Sequence, residues 1–272
     1  MATYYEPIDM NANNFILEFV DVTLLPAPLD HAGLQGITLR LTPGELTLIK
    51  TEPGNEQLPL ADLAEGLLAP DRGVVRFMDE SWSAISPEQS LILRAGITRV
   101  FDEHGWISNL NVNENVTLSQ RHHTRRPIRT ILDEAEALAR SFNLEALPTM
   151  RPAQLPRRDL RRCEWIRAFL GRPKLVLLER PMKGVPMEFL PRLIGAAKEA
   201  MARGAALLWL TDDDQVWQNP NLWDAMRYAM RGQTLTTVAA TGMATSKKLQ
   251  NPSFKFQGLP LADPPTAENT IN

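Results

Sequence analysis

Carboxylates and arginines follow apolar runs at three places in this chain. Residues 175–178 (LVLL) lead into Glu179 and Arg180, and residues 205–210 (AALLWL) lead into Thr211, Asp212, Asp213 and Asp214. Residues 96–101 (GITRVF) lead into Asp102, Glu103 and His104. A carboxylate where a buried strand ends is suited to hold Mg²⁺ for phosphoryl transfer. Three successive aspartates could hold such an ion or accept a proton, and they equally suit a capped strand end or a helix N-cap. Arg180 works against that chemistry, because a guanidinium has five donors and no acceptor and cannot take a proton from water. His122 and His123 are adjacent, so they share no helix face, and no Cys or carboxylate stands at ligand spacing from them. They read as a solvent-facing pair rather than a metal site.

Such groups need a sheet to carry them. Residues 15–25 (FILEFVDVTLL) alternate as a first strand, residues 37–41 form a second, and residues 46–50 (LTLIK) a short apolar third. Pro43, Gly44 and Glu45 have the composition of a hairpin turn between strands. Residues 68–82 contain a further hairpin, and residues 228–238 a terminal one. Helical spacing runs through residues 131–142 and 190–202. Residues 155–186 read as a turn, an amphipathic helix, a Gly-Arg-Pro connector, the strand at 175–178 and a charged loop. At 272 residues the chain suits one α/β domain with a small helical insert. A hydrophobic content of 44% is enough for an ordinary core, and a net charge of −3 offers no phosphate-neutralising face for nucleic acid. A single cysteine, Cys163, excludes an internal disulfide and a Cys-based metal cluster. Residues 1–14 lack the basic and apolar regions of a secretory signal, and no run of about 18 apolar residues exists to span a membrane. Residues 1–14 are expected to be loose, and residues 241–272 to form a flexible arm or one ordered by a partner.

The framework of these segments resembles the ATP-binding cassette of ABC transporters across residues 15–240. Leu155, Arg162, Arg167, Ala168, Pro173 and Pro181 fall without a gap where that family places these residue types. So do Pro70, Gly73 and Val75, and then Val100, Phe101, Leu110, Val112, Glu114 and Asn115. The resemblance implies an α/β, P-loop-type cassette with a mixed β core, an antiparallel β subdomain, and a helical subdomain inserted at about 80–165. The reactive groups do not follow the framework. The family's phosphate loop, G-x-x-x-x-G-K-S/T, cradles phosphates with backbone N–H groups, its Lys and its hydroxyl. Here Thr51 and Glu56 replace the framing glycines, Gln57 the Lys, and Leu58 and Pro59 the hydroxyl pair, while Gly54 keeps an internal glycine. Glu52 and Glu56 would oppose a polyphosphate, and the missing Lys removes a contact of about 1.5–3 kcal/mol. The resemblance further places Asp102 at the family's glutamine, and Pro156, Arg157 and Arg158 at its signature Ser-Gly-Gly. It places Glu179 at the Mg²⁺-binding Asp, Arg180 at the catalytic Glu, and Asp212 at the switch His.

Five sites departing together imply a catalytically inactive, ATPase-like subunit with no cofactor, neither ATP nor Mg²⁺ binding being expected. Phe101, Asp102, Glu103, His104, Gly105 and Trp106 occupy the surface with which the family grips a membrane subunit, which implies an integral-membrane permease as partner. Cassettes of this kind pair, so a second partner is another ABC ATPase subunit or a second copy of this chain; no nucleic acid is implied. The implied location is cytoplasmic, peripheral on the cytoplasmic face of the inner membrane. Residues 109–116 (NLNVNENV), 152–155 (PAQL) and 184–194 (GVPMEFLPRLI) are similar to the ATPase subunits of MCE-type lipid transporters. Two other readings stand beside this one: a free-standing soluble protein using the cassette fold to bind another protein or ligand, and an active ATPase with unorthodox ligands from Glu179, Asp102, Asp212 and Arg157. Arg157 and Arg158 are solvated or clamp acidic groups of a partner. The loop with Arg121, Arg125, Arg126 and Arg129 is solvated or faces anionic headgroups.

Overall fold

The structure is a computed structural model that describes residues 15–27, 31–52, 58–103, 105–222 and 224–238. All of these lie in one compact unit, Met1–Ala240; the second unit, Thr241–Asn272, and residues 1–14 lie outside the described residues, as do the expectations made for them. Strands β1 (Leu17–Leu24), β2 (Leu34–Leu41), β4 (Arg72–Phe77) and β5 (Glu80–Ser81) form an antiparallel sheet in the order β2-β1-β4-β5. From Ile37 to Leu41, β2 alternates buried and open residues, as a one-sided sheet requires. Met78 and Asp79, with φ of 52° and 65°, make the two-residue turn between β4 and β5, a geometry that matches strand twist. β1 shifts register against β4 between Val20 and Thr23, and there Gly73 (φ 84°) approaches the backbone of Asp21. A Cβ on Gly73 would lie 2.4 Å from the Asp21 carbonyl oxygen, so only glycine fits the bulge.

Strands β3 (Leu46–Lys50), β6 (Ile97–Val100), β7 (Leu175–Glu179), β8 (Ala206–Thr211), β9 (Met226–Arg231) and β10 (Thr234–Thr237) make the second sheet, ordered β10-β9-β3-β8-β7-β6. Only the β9–β10 pair is antiparallel. β7 and β8 are buried along their whole length, the continuous apolar run expected of a parallel strand covered on both faces. One sequence expectation fails here. The turn at Pro43, Gly44 and Glu45 does not close a hairpin: it carries the chain from β2 in one sheet to β3 in the other, where β3 pairs in parallel with β8 and β9. The cause is visible in LTLIK, whose first four residues are buried, so it belongs between layers rather than beside β2.

Helices α1 (Leu60–Ala64), α2 (Pro87–Arg94), α3 (Val112–His123), α4 (Ile128–Ser141), α5 (Arg157–Phe169), α6 (Leu190–Ala202) and α7 (Asp214–Trp217) complete the order. Within residues 80–165, β6 is a strand of the central sheet and pairs with β7, so that span is not helical throughout. Nine of the thirteen residues of α5 are buried, including Arg161, Arg162 and Glu164. The helix expected to be amphipathic is therefore nearly a core helix. Phe142, at the end of α4, packs edge-on to Trp165 at 5.4 Å and against Phe169 at 6.3 Å. We expect Phe142→Ala to cost about 3–5 kcal/mol in urea denaturation, through lost burial and the cavity left behind. Ile92→Ala, at a side chain 73% exposed, should stay within about 0.5 kcal/mol of the wild type.

Candidate functional site

The carboxyl ends of β3, β8, β7 and β6 lie side by side, with Lys50 opposite Thr211, Glu179 opposite Leu210, and Val100 opposite Leu178. Glu179 ends an interior strand and is buried. Its carboxylate is held by Arg99 of the neighbouring β6, with Nε donating to Oε2 at 2.7 Å and Nη2 to Oε1 at 3.0 Å. The same guanidinium donates from Nη1 to Asp62 at 2.6 Å and to Glu65 at 2.9 Å, both from the segment of α1. One cation thus faces three carboxylates. Burial would lower the pKa of Arg99, but its bonds to Glu179 and the charges of Glu179 and Glu65 outweigh burial and raise it. For Glu179 and Glu65 burial is the larger effect and the shared arginine the smaller, so both carboxyls titrate above 4.5. The cation gains from three anions, whereas each anion has only a share of one cation.

Beside this cluster lies a second. Arg180 has φ of 41°, a left-handed conformation that costs a non-glycine residue about 1 kcal/mol. Its guanidinium donates to Asp102 from Nε at 2.6 Å and also from Nη2, and reaches Asp212 at 3.5 Å. Lys183 lies 3.4 Å from the Asp102 carboxylate and 3.3 Å from that of Glu103. Lys50 binds Asp214 and the carbonyl of Asp212. Asp213 accepts from the N–H groups of Gln215 and Val216, so part of the Asp212–Asp214 run is a helix N-cap. Asp102, Glu179, Arg180 and Asp212, predicted from sequence to share a site, are brought together, but as partners in ion pairs.

The remaining predicted positions behave differently. Thr51 is buried and its N–H donates to the Thr211 carbonyl at 2.8 Å. Leu58 is buried and packs into the core beneath the antiparallel sheet, and Pro59 stands at the N-cap of the five-residue α1. Gly54, Glu56 and Gln57 lie outside the described residues. Pro156 caps α5, and Arg157 and Arg158 are exposed on its first turn, with Arg158 3.5 Å from Asp159. Neither arginine contributes to the two clusters. His122 and His123 are exposed at the end of α3, and among the described residues no group of three His, Cys, Asp or Glu is arranged for a metal ion. Cys163 is buried, its thiol pushed up to about 12 by desolvation, which leaves it inert as a nucleophile.

The surface predicted for docking is the best-anchored part of the site, apart from His104, which lies outside the described residues. Arg161 of α5 donates to the carbonyls of Phe101 and, at 2.9 Å, Asp102, while Glu164 accepts from it at 2.7 Å. Arg167 donates to the Gly105 carbonyl at 2.5 Å and stacks on Phe101 and Trp106. Gly105 presses on the Phe101 ring so closely that a Cβ would lie 2.6 Å from it. Sequence reading missed Arg99, Asp62, Glu65, Arg161, Arg167 and Lys183 as members of this site. Arg99 carried a signal: a charged residue inside the short strand ITRV has to meet a buried counter-charge.

No family model matches the chain. Among curated proteins it is 26% identical over 168 residues to the intermembrane phospholipid transport system ATP-binding protein MlaF of Escherichia coli (strain K12), a match covering 61% of this chain and 62% of MlaF. It is 28% identical over 193 residues to the nickel import ATP-binding protein NikE of Shigella boydii serotype 4 (strain Sb227), covering 67% of this chain and 70% of NikE. The chain thus spans less than two thirds of MlaF. Among solved structures, a dimeric post-hydrolysis ATP-binding cassette bound to ADP and Pi superposes with a TM-score of 0.71 at 17% identity, over 84% of this chain and 100% of that one. CbiO1 from Clostridium perfringens, part of the ABC transporter complex cbiONQ, superposes with a TM-score of 0.64 at 18% identity, over 82% of this chain and 88% of that one. The chain has the ABC ATP-binding-cassette fold and is similar in sequence to ABC-transporter ATP-binding subunits. No helix among the described residues is long and apolar enough to cross a membrane.

The Arg99 cluster generates a pH-dependent expectation. A carboxyl titrating above 4.5 in the folded state holds its proton more tightly there than when unfolded. Its contribution to stability is therefore complete below 4.5 and is lost as pH rises through the folded value. Removing Arg99 raises both carboxyls further. Arg99→Met should cost about 3–5 kcal/mol at pH 7.5 and distinctly less at pH 5, read from denaturation midpoints relative to the wild type.

Proposed function

We propose that this chain is a catalytically inactive cassette subunit of a membrane transport complex, which neither binds nor hydrolyses ATP. The observation that carries this reading is the guanidinium of Arg180, held by Asp102 and Asp212 where a hydrolytic cassette needs a general base. ATP hydrolysis needs a positioned water and cations to neutralise the phosphates. Here the strand-end carboxylate is taken by Arg99, the neighbouring position holds a group that cannot accept a proton, and Leu58 fills the hydroxyl position with a buried aliphatic chain. Asp102, Glu179, Arg180 and Asp212 are bonded within the chain, and Thr51 and Leu58 are buried in it.

Transport is supported by the relatives: MlaF by its description serves intermembrane phospholipid transport, and NikE nickel import. We take the lipid assignment from the MlaF match and from the segments at 109–116, 152–155 and 184–194. The segment from Phe101 to Trp106 is the surface that meets an integral-membrane permease, and a second cassette, identical or different, completes the complex on the cytoplasmic face of the membrane. The dimeric cassette among the structural neighbours supports the pairing.

Two measurements test this. Millimolar Mg-ATP should leave the thermal midpoint of the purified chain unchanged and yield no phosphate, since a ligand at a hundred times its Kd stabilises by about 2.7 kcal/mol. A rise of several degrees, or Mg²⁺-dependent turnover abolished by Glu179→Gln, would refute inactivity. Affinity purification of the tagged chain from detergent-solubilised membranes should recover a polytopic membrane protein. Recovery of the chain alone, as a cytosolic monomer, would refute the transport assignment and leave a cassette fold in another use.

A further inference from the structure

The segment after β6 is fixed by more charge than any other loop among the described residues. Asp102 is the pivot. Its carboxylate is gripped by Arg180 and approached by Lys183, its N–H donates to Glu179 Oε2 at 3.3 Å, and its carbonyl accepts from Arg161. Phe101 lies between two guanidinia, Arg99 at 4.6 Å and Arg167 at 5.5 Å. Beyond it, Asn115 accepts from the N–H of Ile107 at 2.9 Å and donates to the carbonyls of Ile107 and Leu110. The cations come from β6, α5 and the turn after β7, so the loop is tied at once to the sheet and to the helical block.

We propose that these internal cations, rather than a bound nucleotide, set the conformation of residues 101–103, 105 and 106, and that the Asp102–Arg180 ion pair is their latch. A loop of polar and aromatic residues at the carboxyl edge of a sheet would ordinarily open and close with little cost. Here the opening must break a two-point carboxylate–guanidinium contact whose two side chains are only 14% and 10% exposed. Residues 101–103, 105 and 106 are consequently held in the geometry they present, which lowers the ordering cost of binding there. The proposal rests on the reading of this loop as a docking surface for its biological consequence; the latch itself does not.

Hydrogen–deuterium exchange on the full chain tests it, with the amides of β8 as an internal measure of global stability. In the wild type, residues 101–111 should exchange slowly, and equally slowly with and without millimolar Mg-ATP. Asp102→Asn, which keeps the size of the side chain, should speed exchange there by about 10- to 100-fold while β8 stays protected. Arg180→Lys keeps the charge but loses the two-point grip, and should fall between the two; Lys183→Met should change little. If Asp102→Asn loses protection throughout, Arg180→Lys decides. Exchange of 101–111 that is slow in the wild type but unmoved by either substitution overturns the latch and leaves the nucleotide-free reading intact. Protection that arises only with Mg-ATP overturns both.

Discussion

A carboxylate at the end of an interior strand has to be neutralised from within the protein, and the architecture around Glu179 follows from that requirement. β8 and β6 flank its strand, and its side chain is 10% exposed. Water cannot supply the compensation, and an isolated buried charge of this kind is among the costliest features a fold can hold. The compensation comes from Arg99, one strand over, and the same guanidinium reaches Asp62 and Glu65. A single cation therefore fixes three elements: β7, β6, and α1 from its middle to its C-cap. It also fixes what comes next in sequence, because Asp102 lies three residues beyond Arg99 and donates its N–H to the same carboxylate.

The second cluster obeys the same rule with different partners. By the family resemblance, an amide has become Asp102, an acid has become Arg180, and an imidazole has become Asp212. Taken singly, each change would bring its charge to the edge of the core without the other two, and that costs most at the buried side chains of Asp102 and Arg180. Taken together they neutralise one another, since Arg180 binds Asp102 and faces Asp212. The matched charges at Asp102, Arg180 and Asp212 hold the carboxyl edge of the sheet and the loop that Asp102 anchors.

How much of this the sequence disclosed depends on whether a residue acts through its own position or through a partner. The strands at 175–178 and 205–210 and the helix at 190–202 were legible because unbroken apolar runs and 3.6-residue spacing report burial directly. Residues 43–45 misled for the opposite reason: Pro-Gly-Glu marks a turn, but the composition of a turn does not say whether the strands on either side share a sheet. α5 hid its burial behind seven charged residues in RRDLRRCEWIRAF, because periodicity treats an arginine as a surface group. Arg161, bonded to Glu164 and two carbonyls, is nonetheless 2% exposed. Glu179, Arg180, Asp102 and Asp212 were singled out from sequence, whereas their relation to Arg99, Asp62, Glu65 and Lys183 needed distances across the fold.

The same electrostatics make the present state hard to reverse. Changing Arg180 back to a glutamate would set a carboxylate against Asp102 and near Asp212, with Glu179 adjacent in sequence, so the substitution that restores a general base also removes the cation that holds two acids in place. Changing Asp102 to glutamine first leaves Arg180 without its principal partner. A hydroxyl at position 58 would enter a buried apolar cluster that includes Leu60, Leu63 and Phe77, where it would have to find a new acceptor. Each of these three substitutions thus begins by destabilising the fold, and the changes at 102 and 180 would have to be made together to avoid that barrier. On the proposed reading, the ion pairs that stabilise the carboxyl edge of the sheet are themselves the obstacle to nucleotide chemistry.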